Sequence, residues 1–123
     1  MVVLQAVPSG SPAQVAGTFA LFALFFTVTA HLAARNVLGD VEVKRAFAVG
    51  PVIPAISFVF VALSWPAALA LPLALAADFG LFRYVYGRSN GLTAYLTLIH
   101  VVVSIILGVI VFGLLALVQS APG

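Results

Sequence analysis

Four long apolar stretches alternate with short polar joints along the chain. The stretches cover about residues 13–34, 46–64, 67–86 and 93–118. A helix needs about 20 mostly apolar residues to cross ~30 Å of hydrocarbon. A helix also satisfies its own backbone groups, which lipid cannot do. The pattern therefore predicts four transmembrane helices.

The joints between the stretches are short and rich in turn-forming residues. Residues 35–45 contain Gly39 and five charged side chains, which is typical of a solvated loop. Residues 64–66 (Ser-Trp-Pro) and residues 87–91 (Gly-Arg-Ser-Asn-Gly) form tighter turns. Short connections place consecutive helices antiparallel. We therefore expect an all-α integral membrane protein, an up-down-up-down bundle that forms a single domain over residues 1–123.

Composition narrows the class of protein further. Apolar residues make up 64% of the chain and charged residues only 7%, whereas soluble domains average about 25% charged residues. This composition excludes a soluble globular enzyme, and its apolar content excludes intrinsic disorder. The chain has no cysteine, so it has no disulfide and no thiolate metal ligand.

The basic residues indicate an orientation. All five flank the first or the third joint. These two joints lie on the same side of the bundle, because two antiparallel helices separate them. The five residues are Arg35, Lys44, Arg45, Arg83 and Arg88. The positive-inside rule predicts that these loops are cytoplasmic in the cell membrane, with both termini outside. Residues 1–14 lack Lys and Arg, so we expect an exported tail without a cleaved signal peptide.

Each predicted helix carries one stripe of small or polar residues at helical spacing. Such residues mediate helix packing in lipid, so we expect the four stripes to face inward. They are Ala16, Ala20, Ala23, Thr27 and His31 in the first helix; Gly50, Pro54, Ser57 and Ser64 in the second; Ala67, Ala70, Ala74 and Asp78 in the third; and Thr93, Thr97, His100, Ser104 and Gly108 in the fourth. Phe19, Phe22 and Phe26 lie to one side and are expected to face lipid or a partner.

Asp78 is the most informative residue, because it lies well inside its span. An acidic residue near a helix centre costs ~2.5–3.5 kcal/mol on insertion, so a proton, a partner charge or water must offset it. Arg83 is five residues on, about 140° around the helix, and points away. His31 and His100 lie at a similar depth in other helices. We therefore predict an intramembrane polar cluster of His31, Asp78 and His100.

Two interpretations of this cluster remain open. It is either a clasp that fixes the register of the helices or a site that binds a proton or a ligand. Arg35, Arg83, Thr97 and Ser104 are candidate supporting residues. Arg83 is expected to extend to the membrane surface. Thr97 and Ser104 are expected to donate to carbonyls of their own helix.

No sequence motif indicates catalysis. There is no Ser/His/Asp triad, HExxH, dinucleotide fingerprint or nucleic-acid motif, so no catalytic residue, metal ligand or cofactor is predicted. Two histidines on separate helices could ligate a haem, although no CxxCH is present.

Three segments carry a resemblance to known proteins. Residues 31–35 (HLAAR), 37–40 (VLGD) and 44–51 (KRAFAVGP) resemble those of short, uncharacterised membrane proteins of halophilic archaea. That resemblance implies four helices and no assigned activity. In size and helix count the chain also resembles small multidrug resistance transporters, but it lacks the essential Glu that they carry in their first helix.

These observations lead to three functional hypotheses. The first is a non-enzymatic accessory or assembly subunit, embedded in lipid and bound to other membrane subunits or to itself, with no nucleic-acid partner. The second is a small proton-coupled transporter or channel that uses Asp78 with His31 and His100. The third is a haem or quinone anchor of a redox complex.

Overall fold

The computed structural model describes residues 11–121, and every regular element in this range is a helix. The helices are α1 (Pro12–Leu38), α2 (Val43–Val49), α3 (Val52–Ala62), α4 (Ala67–Tyr86) and α5 (Asn90–Ser120). The first ten residues of the predicted exported tail lie outside the described residues.

Four segments are long and apolar enough to cross a membrane: α1, the combined segment Val43–Ala62 formed by α2 and α3, α4 and α5. The prediction of four membrane-spanning helices by length and composition is thus confirmed. The helices extend beyond several predicted ends, since α1 continues to Leu38 and α5 contains 31 residues.

Local sequence explains where the helices begin and end. Ser11 caps α1 by accepting from the backbone N–H of Gln14, whose side chain accepts from Ser11 in return. The Ser89 hydroxyl caps α5 by accepting from the backbone N–H of Leu92. Gly39 and Gly87 terminate α1 and α4 with φ angles of 88° and 63°, a conformation that glycine adopts readily.

The second span is interrupted at Gly50–Pro51, between α2 and α3. Proline has no N–H, so Pro51 and Pro54 both remove backbone donors from this region. Gly50 is buried against α1, and a Cβ at this position would overlap the backbone and hydroxyl of Thr27. The break therefore coincides with a close approach between the first two spans.

The spans form a ring in chain order. α1 packs against α5 and against α2–α3, and α4 packs against the same two neighbours, so α1 and α4 lie across a diagonal. Consecutive spans are spatial neighbours, which is the arrangement expected of an up-down-up-down bundle.

Packing is tightest at the end of the bundle that carries the charged loop. The buried cluster there consists of Ala30, Ala33, Ala34, Ala46, Val49, Phe82, Tyr86 and Leu96. The alanines of α1 allow the neighbouring helices to approach closely. Towards the other end every residue of α5 from Val109 onwards is exposed, so the two halves of the bundle differ in packing.

Most residues of the predicted stripes in the second, third and fourth spans face the interior of the bundle. The stripe of the first span does so only in part. Ala16 and Ala20 are exposed, while Phe22 is buried. The prediction that the phenylalanines of α1 face lipid or a partner is wrong for Phe22, which is buried, whereas Phe19 and Phe26 are half-buried. Phe19 contacts Phe58, Phe22 stacks on Phe112, and Phe26 contacts His100, because these large rings fill space that alanine leaves empty.

Candidate functional site: a buried aspartate–histidine pair beside an apolar cleft

The centre of the candidate site is a contact between Asp78 of α4 and His100 of α5. The Asp78 Oδ2 atom and the His100 Nδ1 atom share a hydrogen bond. Their side chains are only 2% and 1% exposed. Helical spacing places both residues on the stripes that face the bundle interior. The structure therefore joins two of the three residues in the predicted cluster.

A hydroxyl chain extends this pair to α1. The His100 Nε2 atom lies 2.9 Å from the Thr29 hydroxyl oxygen. Thr29 donates to the Phe26 carbonyl at 3.1 Å, and Ser104 donates to the Thr29 hydroxyl at 3.1 Å. Three spans are thus connected through one buried polar network.

Thr29 is placed to hold the imidazole ring. Its hydroxyl lies within hydrogen-bond distance of the Phe26 carbonyl, the His100 Nε2 atom and the Ser104 hydroxyl. These contacts fix the orientation of the His100 ring, whose Nδ1 atom is directed at Asp78.

Aromatic rings surround the imidazole. The ring centroids of Phe82 and Phe26 lie 5.3 Å and 6.4 Å from that of His100, both in edge-to-face arrangements. These rings exclude water from the pair and hold the imidazole plane in place.

An apolar cleft of about 380 Å³ opens beside the pair. Asp78, His100 and Ser104 line it at one end, and it extends along α1, α4 and α5 to Phe112. Phe112 is twelve residues from His100, about 18 Å along α5. The cleft therefore occupies the loosely packed half of the bundle, and the polar pair closes it at the tightly packed half.

The cleft communicates sideways with the surroundings of the bundle. Leu71 of α4 and Ile105 of α5 line it, and they are 61% and 60% exposed. Pro72, next to Leu71, lies inside α4 and removes a backbone hydrogen bond there. The cleft is therefore open at its side, between α4 and α5.

One polar atom in this region has no partner. The Asp78 Oδ1 atom is buried and makes no hydrogen bond to any described residue. Because Oδ2 is already bonded to His100, Oδ1 is the carboxyl oxygen of the pair that no described residue satisfies.

The remaining candidate residues lie elsewhere. Arg35 contacts Asp40 at 3.5 Å, and Arg83 donates to the Asn90 side chain at 2.8 Å. His31 makes no hydrogen bond to Asp78 or His100, and its Nδ1 atom is buried without a partner among the described residues. The structure therefore does not bring His31 into the network.

Thr97 and Ser104 behave differently from each other. Thr97 donates to the Thr93 carbonyl at 2.9 Å, as expected for a threonine within a helix. The same expectation for Ser104 is wrong, because Ser104 donates to Thr29 across the interface between α5 and α1.

Sequence reasoning missed Thr29. It lies two residues from both Thr27 and His31, about 200° around the helix, so a single stripe that includes those residues excludes it. Both Thr27 and Thr29 are buried because α1 packs against partners on two sides. The pattern of apolar and polar residues along α1 does not by itself predict that the helix face containing Thr29 is also packed.

The geometry does not favour a haem held by two histidines. Both ring nitrogens of His100 are engaged, one with Asp78 and the other with Thr29. Within residues 11–121 no group of three or more His, Cys, Asp or Glu side chains has the arrangement of a metal site.

The charged loop forms a separate electrostatic cluster outside the spans. Glu42 contacts Lys44 at 3.3 Å and Arg45 at 3.6 Å. The hydrogen bond and the positive charge of Lys44, with a smaller effect of Arg45, lower the pKa of the Glu42 carboxyl. Arg45 also donates to the Val85 carbonyl at 2.8 Å, which ties the start of α2 to the end of α4.

Comparison with known proteins places the chain in a family. The DUF7473 model, described as a family of unknown function, matches residues 9–122. No curated protein and no solved structure matches the chain. Because the match covers nearly the whole sequence, the chain belongs to the DUF7473 family of unknown function.

Proposed function

We propose that this chain is a non-enzymatic, multi-pass protein of the cell membrane that couples the movement of a small apolar molecule to a proton. Its basic loops are cytoplasmic and both termini are outside, in accordance with the positive-inside rule. The resemblance to membrane proteins of halophilic archaea remains a prediction about its source.

The observation that carries the functional proposal is the position of the Asp78–His100 pair at the end of the apolar cleft. Ionisable residues within a membrane are costly and mark proton or substrate pathways. A clasp alone needs no cleft, whereas a transporter needs a ligand site next to its titrating group. The cleft volume, about 380 Å³, lies in the range of ligand pockets, ~300–1,000 Å³.

Coupling requires the site to exist in two arrangements. The Gly50–Pro51 break and Pro72 weaken the backbone hydrogen bonding within α2–α3 and within α4. Rocking of the cleft-lining segments about these points would expose the pair to either side in turn.

A flux assay in proteoliposomes tests the proposal. Vesicles containing a pH-sensitive dye receive an imposed pH gradient and then a panel of small apolar cations, neutral alcohols and acids. We expect at least one class to change the internal pH in wild-type vesicles. Asp78→Asn removes the titrating carboxyl and abolishes this response. Glu42→Gln removes a carboxyl outside the spans and serves as the matched control that retains it.

Two outcomes would contradict the proposal. Either no class moves protons with the wild-type protein, or Asp78→Asn supports the same flux as wild type. Circular dichroism and gel filtration of each variant in detergent establish that a loss of flux is not a loss of fold.

A second candidate is an accessory subunit of a larger membrane assembly. Its support is the second half of α5, from Val109 to Ser120, where every side chain is exposed. The burial of Phe22 and the half-burial of Phe19 and Phe26 weaken this candidate, because they reduce the aromatic face that a partner would contact. Purification from the native membrane in mild detergent tests it: a lone monomer without companions argues against a subunit role.

A further inference from the structure

A groove on the outer face of α4 and α5, which we call the α4–α5 groove, is more open than the cleft described above. It has a volume of about 390 Å³ and is lined by Leu75, Phe79, Ala94, Thr97, Leu98 and Val101. Only Thr97 is polar in this set, and its hydroxyl already donates to the Thr93 carbonyl of its own helix. Leu98 is 58% exposed, so the groove is open along its outer side. Its lining therefore suits an apolar chain that lies along the surface of the bundle.

The α4–α5 groove leads towards the charged end of the bundle. Arg83 lies one helical turn beyond Phe79 on the same face of α4. Asn90 lies one turn before Ala94 on the same face of α5. The Arg83 Nε atom donates to the Asn90 side-chain oxygen at 2.8 Å, so these two faces meet across the interface. The Arg83 guanidinium therefore lies at the end of the groove.

No carboxylate in the described part of the chain neutralises Arg83. The sequence has three acidic residues, and each contacts a different basic side chain. The contacts join Asp40 to Arg35, Glu42 to Lys44 and Arg45, and Asp78 to His100. Among the described residues Arg83 bonds only to the neutral amide of Asn90, through Nε. Its two Nη groups therefore remain for an anion, and a guanidinium can donate to two phosphate oxygens at once.

A second basic side chain adds to the positive charge at this corner of the bundle. Arg88 is exposed in the short turn that connects α4 to α5, five residues along the chain from Arg83. Within residues 11–121 it forms no ion pair. Two uncompensated positive charges therefore lie beside an apolar groove. Basic pockets between membrane helices are typical binding places for the headgroups of anionic lipids.

We propose that the α4–α5 groove binds one anionic phospholipid, with an acyl chain along the apolar lining and the phosphate on the Arg83 guanidinium. Charge complementarity selects this occupant. An apolar protein segment would leave Arg83 without a counter-ion, and a free phosphate ion would leave the apolar lining uncovered. The inference depends on the proposed membrane location, but it does not depend on proton coupling at Asp78.

Native mass spectrometry of the purified full chain in detergent tests the inference, because it counts bound lipids directly. The probes are dioctanoyl phosphatidylglycerol, which is anionic, and dioctanoyl phosphatidylcholine, which has the same acyl chains and no net charge. We expect the anionic lipid to bind ~10-fold more tightly, which is the effect of one charge-assisted contact. Free glycerol 3-phosphate should bind more weakly than phosphatidylglycerol, since it has no acyl chain to cover the groove.

Arg83→Gln tests the contact with the headgroup. The glutamine removes the positive charge but keeps a donor for Asn90. Binding of phosphatidylglycerol should weaken ~10-fold and approach that of phosphatidylcholine. Arg35→Gln is the matched control, because it removes an equal charge from the same end of the bundle at a residue that contacts Asp40. The control should bind both lipids as wild type does.

Ala94→Phe tests the contact with the acyl chain. Ala94 is small and exposed, so a phenyl ring at this position fills the groove without replacing a buried side chain. Binding of both lipids should weaken several-fold, whereas binding of free glycerol 3-phosphate should not change. Ala116→Phe is the matched control, because Ala116 is exposed on the same helix and does not line the groove. Circular dichroism in detergent establishes that each variant is folded.

Three outcomes would overturn the inference. They are equal binding of the two lipids by wild type, equal losses in Arg83→Gln and Arg35→Gln, and undiminished lipid binding by Ala94→Phe. These outcomes are separate from those of the vesicle assay. Selective lipid binding without proton flux would support this inference and reject proton coupling, whereas flux without selective lipid binding would do the opposite.

Discussion

Thr29 lies at the junction between the titratable pair and the rest of the bundle. Its hydroxyl contacts the His100 Nε2 atom, accepts from Ser104 and bonds to the Phe26 carbonyl of its own helix. Three of its hydrogen-bonding positions are therefore occupied, and its side chain is fully buried. Its role is to hold His100 in the orientation that presents Nδ1 to Asp78.

Thr29→Val therefore should destabilise the protein by about 1–3 kcal/mol, because it leaves the His100 Nε2 atom and the Ser104 hydroxyl without a buried partner. Thr97→Val is the matched control, since the Thr97 hydroxyl bonds only to a carbonyl of its own helix. The control should change stability by less than about 1 kcal/mol. Detergent-induced unfolding in mixed micelles measures both values, and equal losses would contradict the assignment.

Glu42 provides a prediction about pH. Its pKa is lowered from the ordinary value of 4.5, first by Lys44 and then by Arg45, so its ionised form is favoured in the folded protein. The stabilisation is complete above the ordinary pKa and disappears as pH falls through the lowered folded value. The melting temperature of wild type should therefore exceed that of Glu42→Gln at neutral pH, and the gap should close in acid.

Lys44→Met supplies the control for this experiment. Without the lysine, most of the cause of the lowered pKa is removed. Introducing Glu42→Gln into the Lys44→Met protein should therefore lower the melting temperature at neutral pH by less than it does in wild type. An equal loss in both backgrounds would contradict the assignment of the pKa shift to Lys44.

At the scale of helices, the contact between Gly50 and α1 determines how the first two spans cross. A side chain at Gly50 would overlap the Thr27 backbone, which cannot move aside as a flexible side chain can. Gly50→Ala should therefore separate the spans and destabilise the bundle by about 1–3 kcal/mol. Gly80→Ala is the control, because nothing lies within 4 Å of its Cβ position.

Thermal unfolding in detergent distinguishes these two glycine variants. Gly80→Ala should be neutral or slightly stabilising, since alanine is the better helix former. Similar melting temperatures for both variants would show that the break at Gly50–Pro51 adapts without cost, and that the close approach does not fix the crossing.

Much of the helical organisation could be predicted, because membrane spans are long apolar segments that are separated from one another by turns. The stripe of α5 was predicted well, since Thr93, Thr97 and His100 are all buried. The stripe of α1 was only partly right, because α1 has two packed faces and uses large rings on one of them. Partners of buried hydroxyls depend on how spans rotate against each other, which periodicity within one span does not specify.

For the whole molecule, the central prediction is its orientation. The chain has no cysteine, so a single introduced thiol reports the location of one loop. Asp40→Cys places a thiol in the basic loop and Ala67→Cys places one near the Trp65 turn. A membrane-impermeant maleimide added to intact cells should label the second variant and not the first. The opposite pattern would invert the proposed topology.

The unequal lengths of the spans have a mechanical consequence. At ~1.5 Å per residue, the 31-residue α5 is about 46 Å long and the 20-residue α4 is about 30 Å long. In the proposed membrane setting, the bundle would thus present a tall side and a short side to lipid. A bilayer that matches one side must stretch or thin at the other. The length of the acyl chains would therefore change the tilt of α5 and the width of the cleft opening next to it.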